Sequence, residues 1–292
     1  MKSRMRWIAM ILLVALPGVW GCAATSMSSM LPGAVSIAST GATKAARASH
    51  EITDSEEYYI GRAVAARVLS QYPLYQDPKV TEYVNEVGQT VARKSTRPNT
   101  FKGYHFAVLD TTELNAFACP GGTIFITKGL LVTCANEDEL AAVLAHECSH
   151  VANKDGINSI SKARWTQVWT AMGTEAAKQY GGVGGNLVTL FEGSIDDVFK
   201  TIVVNGYSRT AEEAADAGGV ATLTKAGYDP GAMGAMLKKM LAKEKGASGG
   251  IFKTHPPTSE RLAKVEAAGG KEKAASPAEA KRTQRFKKVV KG

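Results

Sequence analysis

The stretch that most restricts what this chain can become is AAVLAHECSH, residues 141–150. It sits inside EDELAAVLAHECSHVA, residues 137–152, where three acids lead and Leu140, Val143, Leu144 and Val151 recur at helical spacing. Acids in a first turn suit the positive end of the helix dipole. The pattern predicts an apolar, buried helix. His146 and His150 then lie one turn apart on one face, with Glu147 beside them. Two imidazoles and a carboxylate are costly in apolar surroundings unless they have partners. A zinc ion would supply one, since it accepts neutral imidazole nitrogens and favours four ligands. A neighbouring carboxylate can then act on water instead of binding the metal. HECSH thus offers two ligands and a base within one helical turn. Only five histidines occur in the whole chain, so finding two here is informative. The competing reading is an ordinary buried helix with two hydrogen-bonded histidines.

A third ligand has to come from elsewhere. His50, His105 and His255 are candidates, as is any carboxylate. One segment stands out: YSRTAEEAADAGG, residues 207–219. Glu212 and Asp216 are four apart on one face of a predicted helix. One carboxylate there can complete a metal site, while the other hydrogen-bonds a ligand histidine from behind. Spacing alone fits a solvated acidic face equally well, because Glu213 adjoins the pair.

The N-terminus reads as an address. Lys2, Arg4 and Arg6 precede an apolar run from Trp7 to Val19, followed by Gly21 and Cys22. This is the layout of a secretory signal, and the run is short of the roughly 20 residues that span a bilayer. Val19, Gly21 and Cys22 resemble a bacterial lipobox, although Trp20 is large where a small residue is usual. The resemblance implies cleavage before Cys22 and lipidation of that cysteine. With Ala23 following it, an outer-membrane lipoprotein facing the periplasm of a Gram-negative bacterium is expected. The predicted organisation is a signal peptide over 1–21, a flexible membrane tether over 22–50, a folded domain over 51–270 and a basic, disordered tail over 271–292. The formal charge of +8 is concentrated at the two ends, which leaves the body near neutral. No basic stripe interleaved with aromatics suggests a nucleic-acid partner. Cys119, Cys134 and Cys148 remain after Cys22, an odd number, with Cys119–Cys134 a candidate pair in an oxidising compartment.

Between these ends the chain reads as mainly α with a small β-sheet. DSEEYYIGRAVAARVLSQY and DPKVTEYVNEVGQTVARKS are helices with N-terminal caps. YHFAVLD is a strand, and NAFACPGGTIFITKGLL is strand, tight turn, strand and helix start. A long helix is expected after the histidines as far as Tyr180, ended by GGVGG. Further helices are expected over 194–226, in YDPGAMGAMLKKMLAKEK and in PPTSERLAKVEAA. No internal repeat is visible.

Four motifs in this order resemble those of the gluzincin metallopeptidases of the HtpX and CAAX prenyl protease type, a family that includes the periplasmic BepA and LoiP proteins. NAFACPGGTIFITKGLL is similar to its strand-turn-strand, NEDELAAVLAHECSH to its active helix, YSRTAEEAAD to its Y-S-R-x-x-E-x-E-A-D segment and THPPTSERL to its T-H-P element. The match spans about residues 54–268. The resemblance implies a zincin-type metallopeptidase domain holding one Zn²⁺ per chain. By position it makes His146 and His150 ligands, Glu147 the general base, Glu212 the third ligand and Asp216 the supporting acid. Ala214 departs from the usual second glutamate, at a position that is not a ligand. Asn115, Ala116 and Phe117 match an edge strand that holds extended substrate by backbone pairing, which suits unfolded polypeptide. His255 either approaches the metal when substrate is absent or caps the following helix. Arg261 and Arg209 are expected near the site. The implied function is zinc-dependent endopeptidase action on misfolded or misassembled envelope proteins. The rival is a non-catalytic, chaperone-like assembly lipoprotein. Oligomeric state is not legible in the sequence.

Overall fold

Thr53 begins the first helix, α1 (Asp54–Leu69), with a reciprocal cap. Its hydroxyl accepts from Glu56 N–H at 3.3 Å, and the Glu56 carboxylate accepts from Thr53 N–H at 2.8 Å. Asp77 caps α2 (Pro78–Ala92) through Lys79 and Val80 N–H, with Pro78 at its first position. The computed structural model describes residues 52–160, 193–244, 249–271 and 276–292. The expected signal, the tether with Cys22, the helix running to Tyr180 and the GGVGG break lie outside these residues.

The sheet has three strands in the order β1-β3-β2. β1 (His105–Leu109) runs parallel to β3 (Thr123–Thr127), and β2 (Ala116–Ala118) pairs antiparallel on the other side of β3. Side chains alternate between faces, so the sheet divides two cores. Phe106, Val108, Ile124 and Ile126 face α2 and the histidine helix, while Leu109, Phe117 and Phe125 pack with Ile60, Val64 and Val68 of α1. The turn Pro120–Gly122 between β2 and β3 is pressed against α1. A Cβ on Gly61 would lie 1.7 Å from the Pro120 carbonyl oxygen, so only glycine fits there. Gly121 has φ 76° and gives its N–H to Glu57, which is fully buried and also held by Arg97 at 2.8 Å. Arg97 Nη1 continues to the Val151 carbonyl near the end of the histidine helix.

After α3 (Lys128–Thr133), Asn136 caps the histidine helix, α4 (Glu137–Ala152). Every residue from Glu137 to Val151 is buried. Its three leading acids are therefore enclosed as well, and each has partners. Glu137 accepts from Tyr83 and Tyr228 hydroxyls and from Arg285 Nε at 2.7 Å. Asp138 receives both Nε (2.8 Å) and Nη2 (2.7 Å) of Arg282, and Asp229 N–H. Glu139 pairs with Lys239 and Ala135 N–H. After the turn α5 (Asp155–Asn158), a helical segment over 193–199 ends in a π-helical turn, Lys200–Asn205. Then come α6 (Arg209–Ala226), α7 (Gly231–Glu244), the short α8 (Ile251–Thr254) and α9 (Ser259–Ala267).

The C-terminal segment corrects the expectation of a disordered tail. Residues Pro277–Val290 form α10, capped by Ser276 and Glu279. Phe286 is fully buried against Tyr83, and Val289 and Val290 pack beside it. Arg282 and Arg285 lie on or beside the inward face. They make that face look polar in sequence, although they neutralise the two buried acids of α4. The three remaining cysteines are separate buried thiols, so the Cys119–Cys134 pair is absent. Burial pushes the Cys134 thiol up to about 12.

Removing one partner of a buried ion pair costs about 3–5 kcal/mol. Arg282→Ala should therefore lower the unfolding free energy by about 3 kcal/mol, measured by urea titration. Arg282→Ala combined with Asp138→Asn should cost clearly less than the two single changes added. Additive costs would show that this pair does not hold α10 in place.

Candidate metal centre

His146 and His150 project from α4 with their Nε2 atoms 3.1 Å apart. Glu212, in the first turn of α6, reaches them from the facing helix, with Oε2 3.5 Å from His146 Nε2 and Oε1 3.4 Å from His150 Nε2. His255, just after α8, brings Nδ1 to 3.0 Å from Glu212 Oε1 and 3.3 Å from His146 Nε2. One donor atom from each of these four buried residues lies within 4.8 Å of all the others.

Both helical histidines are oriented from behind. Asp216, one turn beyond Glu212, accepts from His146 Nδ1 at 3.0 Å. Asp155 accepts from His150 Nδ1 at 2.7 Å. Each contact leaves Nε2 facing the centre with its lone pair available. Arg261 forks onto Asp216 at 2.8 and 2.9 Å and reaches Glu212 Oε2 at 2.9 Å, while its other contact is the Pro256 carbonyl beside His255. Tyr207 stacks on the His150 ring at 4.4 Å.

The donor chemistry fits zinc: imidazole nitrogens and a carboxylate oxygen converge with supporting carboxylates in place. Glu147 supplies the second indication. It is 2% exposed, and its Oε2 atom has no hydrogen-bond partner. Its Oε1 atom is 3.7 Å from His255 Nε2. A buried carboxylate oxygen without a donor is expensive, and the carboxylate that carries it adjoins His255 of the donor cluster.

Electrostatics agree. Burial alone would lower the pKa of His146, but Asp216 and Glu212 outweigh it and push it up to about 10. His150 is raised in the same way by Asp155 and Glu212 against burial. Burial would raise Glu212, yet His255 and the two helical histidines hold it well below the carboxylate range. Arg261 and His146 likewise keep Asp216 low despite burial. In the metal-free protein a proton on His146 therefore occupies the position that a cation would take.

The structure brings His146, Glu147, His150, Glu212, Asp216, His255 and Arg261 into one centre. It does not bring Arg209 there: that side chain is exposed at the start of α6 and pairs with Glu260 at 3.2 Å. His105 is exposed and bonds the Lys102 carbonyl, and His50 lies outside the described residues. The edge strand also needs correction. Cys119 N–H bonds Thr123 O, and Thr127 N–H bonds Asn115 O. By the alternation of an antiparallel ladder, Phe117 then faces β3, and its ring is fully buried. Ala116 and Ala118 are the residues whose main-chain groups turn away from β3; both are buried, and Ala116 N–H is held by Asn115 Oδ1 at 3.0 Å. Asn115 Oδ1 accepts from Thr254 Oγ1. Asp155 and Tyr207 were not singled out in the sequence. Asp155 follows Lys154, a left-handed residue at φ 57° that turns the chain back toward His150. An acid one turn past the second histidine was the available signal.

Glu212 and Asp216, with depressed pKa values, stabilise the metal-free fold above their ordinary titration range and lose this as pH falls. His146 has the opposite sign: its contribution is complete below 6.5 and is lost as pH rises toward about 10. Zinc replaces that proton. Zinc binding should therefore release protons, and the zinc-induced rise in Tm should grow across this window. Calorimetry in buffers of different ionisation enthalpy would detect the release, and absence of release would show that His146 is not a ligand. An X-ray absorption count on the zinc-loaded protein should give three imidazoles; two would leave His255 as a helix cap.

Comparison with known proteins places this centre. Residues 78–268 match Peptidase family M48. The chain is 27% identical over 252 residues to the beta-barrel assembly-enhancing protease of Escherichia coli K12, covering 82% of this chain and 49% of that protein. It is 30% identical over 154 residues to the mitochondrial metalloendopeptidase OMA1 of Schizosaccharomyces pombe, covering 52% of this chain and 42% of that one. It is 29% identical over 195 residues to the protease HtpX homolog of Salinibacter ruber, covering 56% and 67%. The chain spans about half the length of the first of these relatives. The matched segment is more than half of the sequence and contains all four converging donors and their zincin-type helix, and the chain belongs to peptidase family M48.

Proposed function

We propose that the chain is a zinc-dependent endopeptidase that cleaves unfolded or misassembled polypeptide. The observation that carries this is Glu147, a buried carboxylate with an unpartnered oxygen beside four converging donors. A protein that used this fold only to hold other chains would have no need of it. His146, His150 and Glu212 would hold the zinc, and His255 would be a fourth donor in the substrate-free protein. A bound zinc supplies Lewis acidity: it polarises a carbonyl and makes water acidic enough to lose a proton near neutral pH. Glu147 accepts that proton at Oε2 as the water attacks, then delivers it to the departing amine nitrogen. Asp216 and Asp155 keep the two imidazoles in one tautomer throughout. Arg261 keeps Asp216 and Glu212 ionised and in place. The outer side of β2 at Ala116 and Ala118 would pair with an extended substrate backbone, which has to displace Asn115 Oδ1 from Ala116 N–H. Such pairing reads main chain and accepts many sequences, as clearance of unfolded protein requires.

The sequence and the relatives support a site of action in the bacterial envelope. The basic, apolar and Gly21-Cys22 layout supports a lipid-anchored protein at the outer membrane, facing the periplasm. Among the described residues no helix is long and apolar enough to cross a membrane. The Escherichia coli relative is named for enhancing β-barrel assembly, which supports quality control of envelope proteins as the role.

Glu147→Gln should retain stoichiometric zinc and lose casein turnover by about 10²–10⁴-fold, whereas Glu212→Ala should lose the zinc itself on dialysis. Full turnover in Glu147→Gln would sink the mechanism. For the anchor, Cys22→Ala should move the protein from the membrane pellet to the soluble fraction after osmotic lysis. Continued pelleting would remove the lipoprotein reading.

A further inference from the structure

Between α4 and α7 lies a cavity of about 50 Å³ that directly adjoins Glu147. Its two sides differ in chemistry. One side is the donor cluster with Arg261. The other is formed by Val143, Met233, Met236, Leu237, Met240 and Ile251, each less than one-tenth exposed. The four residues from α7 stand at i, i+3, i+4 and i+7 and so share a helix face. Met233 is drawn close by Gly219, where a Cβ would come within 2.4 Å of the methionine methyl. The charged groups on the polar side are already committed to one another, Arg261 to Asp216 and Glu212. A side chain that enters this cavity therefore meets no free cation, and its one uncommitted charge is the Glu147 carboxylate.

On the endopeptidase reading, this cavity has a defined role. We infer that it is the subsite that selects the scissile bond by taking the side chain of a leucine or methionine at one of the two flanking substrate residues. The position follows from Glu147, whose unpartnered oxygen acts on the bond and which also lines the cavity. The size is bounded by the volume: about 50 Å³ is several times the roughly 10–15 Å³ that a cavity needs to hold one water, room for a small aliphatic side chain. Leucine and methionine each carry four side-chain heavy atoms. The three methionines are flexible enough to yield to a phenylalanine, which is accepted less well. Aspartate would lose its hydration and meet the Glu147 carboxylate without gaining a partner. Backbone pairing along β2 would thus set where an unfolded chain lies, and this pocket which bond is cut.

The test has two independent readouts. In the first, zinc-loaded protein cuts casein and the new ends are identified by mass spectrometry. Leucine and methionine should be enriched at one flanking position. Met240→Ala enlarges the cavity and should raise phenylalanine relative to leucine by about tenfold, while Met240→Leu, a near-isosteric control for folding, keeps the leucine preference. The second readout needs no turnover. Zinc-loaded Glu147→Gln is titrated calorimetrically with amino-acid hydroxamates, and the leucine compound should bind at least about tenfold more tightly than the aspartate compound. If casein is not cut but the hydroxamate order holds, the catalytic reading fails and the subsite stands. If casein is cut with no preference at either flanking position, or the hydroxamates bind alike, the subsite is overturned and the peptidase remains.

Discussion

One constraint organises this protein: a helix that carries three acids, two histidines and a catalytic-type glutamate is buried along its whole length. Burial of polar groups is tolerated only where each finds a partner, so the surrounding fold is arranged to supply them. At the leading end, Tyr83, Tyr228, Arg282, Arg285 and Lys239 engage Glu137, Asp138 and Glu139. At the trailing end, Asp155, Asp216 and Glu212 engage the histidines. Glu147 Oε2 is left over between these two sets. In a helix so completely provided for, one unpartnered oxygen marks the place where chemistry, not structure, decides the residue.

The centre is built so that protons and a metal compete for the same place. Three carboxylates, Glu212, Asp216 and Asp155, surround two imidazoles; Asp216 and Glu212 push His146 up to about 10, and Asp155 and Glu212 raise His150. The field of these carboxylates also favours a divalent cation. Arg261 balances it by sharing Asp216 Oδ1 and Glu212 Oε2 with His146. Without that guanidinium two buried carboxylates would repel each other, and one would be expected to take up a proton. Its location in the THPPTSERL element explains why that segment resembles a family motif although only His255 in it could have been read as a ligand.

Much of this was legible because the relevant signals are local. Two histidines four apart on an apolar helix, two acids four apart on another and a Pro-Gly-Gly turn between β-rich runs each carry their geometry in their spacing. The sequence was less informative wherever partners are distant or inverted in sign. The inward side of α10 presents arginines because it meets buried acids about 145 residues earlier, so it read as solvated. Asp155 reaches His150 only through a left-handed Lys154, a conformation that a non-glycine residue rarely announces. Arg209 stands one turn from Glu212 in sequence, but its long side chain ends at Glu260 on the surface, which helix position alone does not reveal. Phe117 was placed on the substrate edge because which residues of a short strand face outward depends on its register, which only the pairing with β3 reveals.

The family match over residues 78–268 leaves α1 and α10 outside it, and both act on the same helix. Glu57 of α1 gathers Arg97 and Gly121, and Arg97 continues to the Val151 carbonyl, which ties the trailing end of α4 to the turn behind β2. Arg282 and Arg285 of α10 hold its leading end. The matched segment thus contains the donors, and the flanking helices brace the element that presents two of them. A metal site tolerates little error in the placement of its ligands, and two ligands one turn apart can be no better placed than the helix that bears them. Bracing both ends of α4 from outside the matched segment fixes that helix against rotation and sliding without adding a residue to the cleft where substrate must enter.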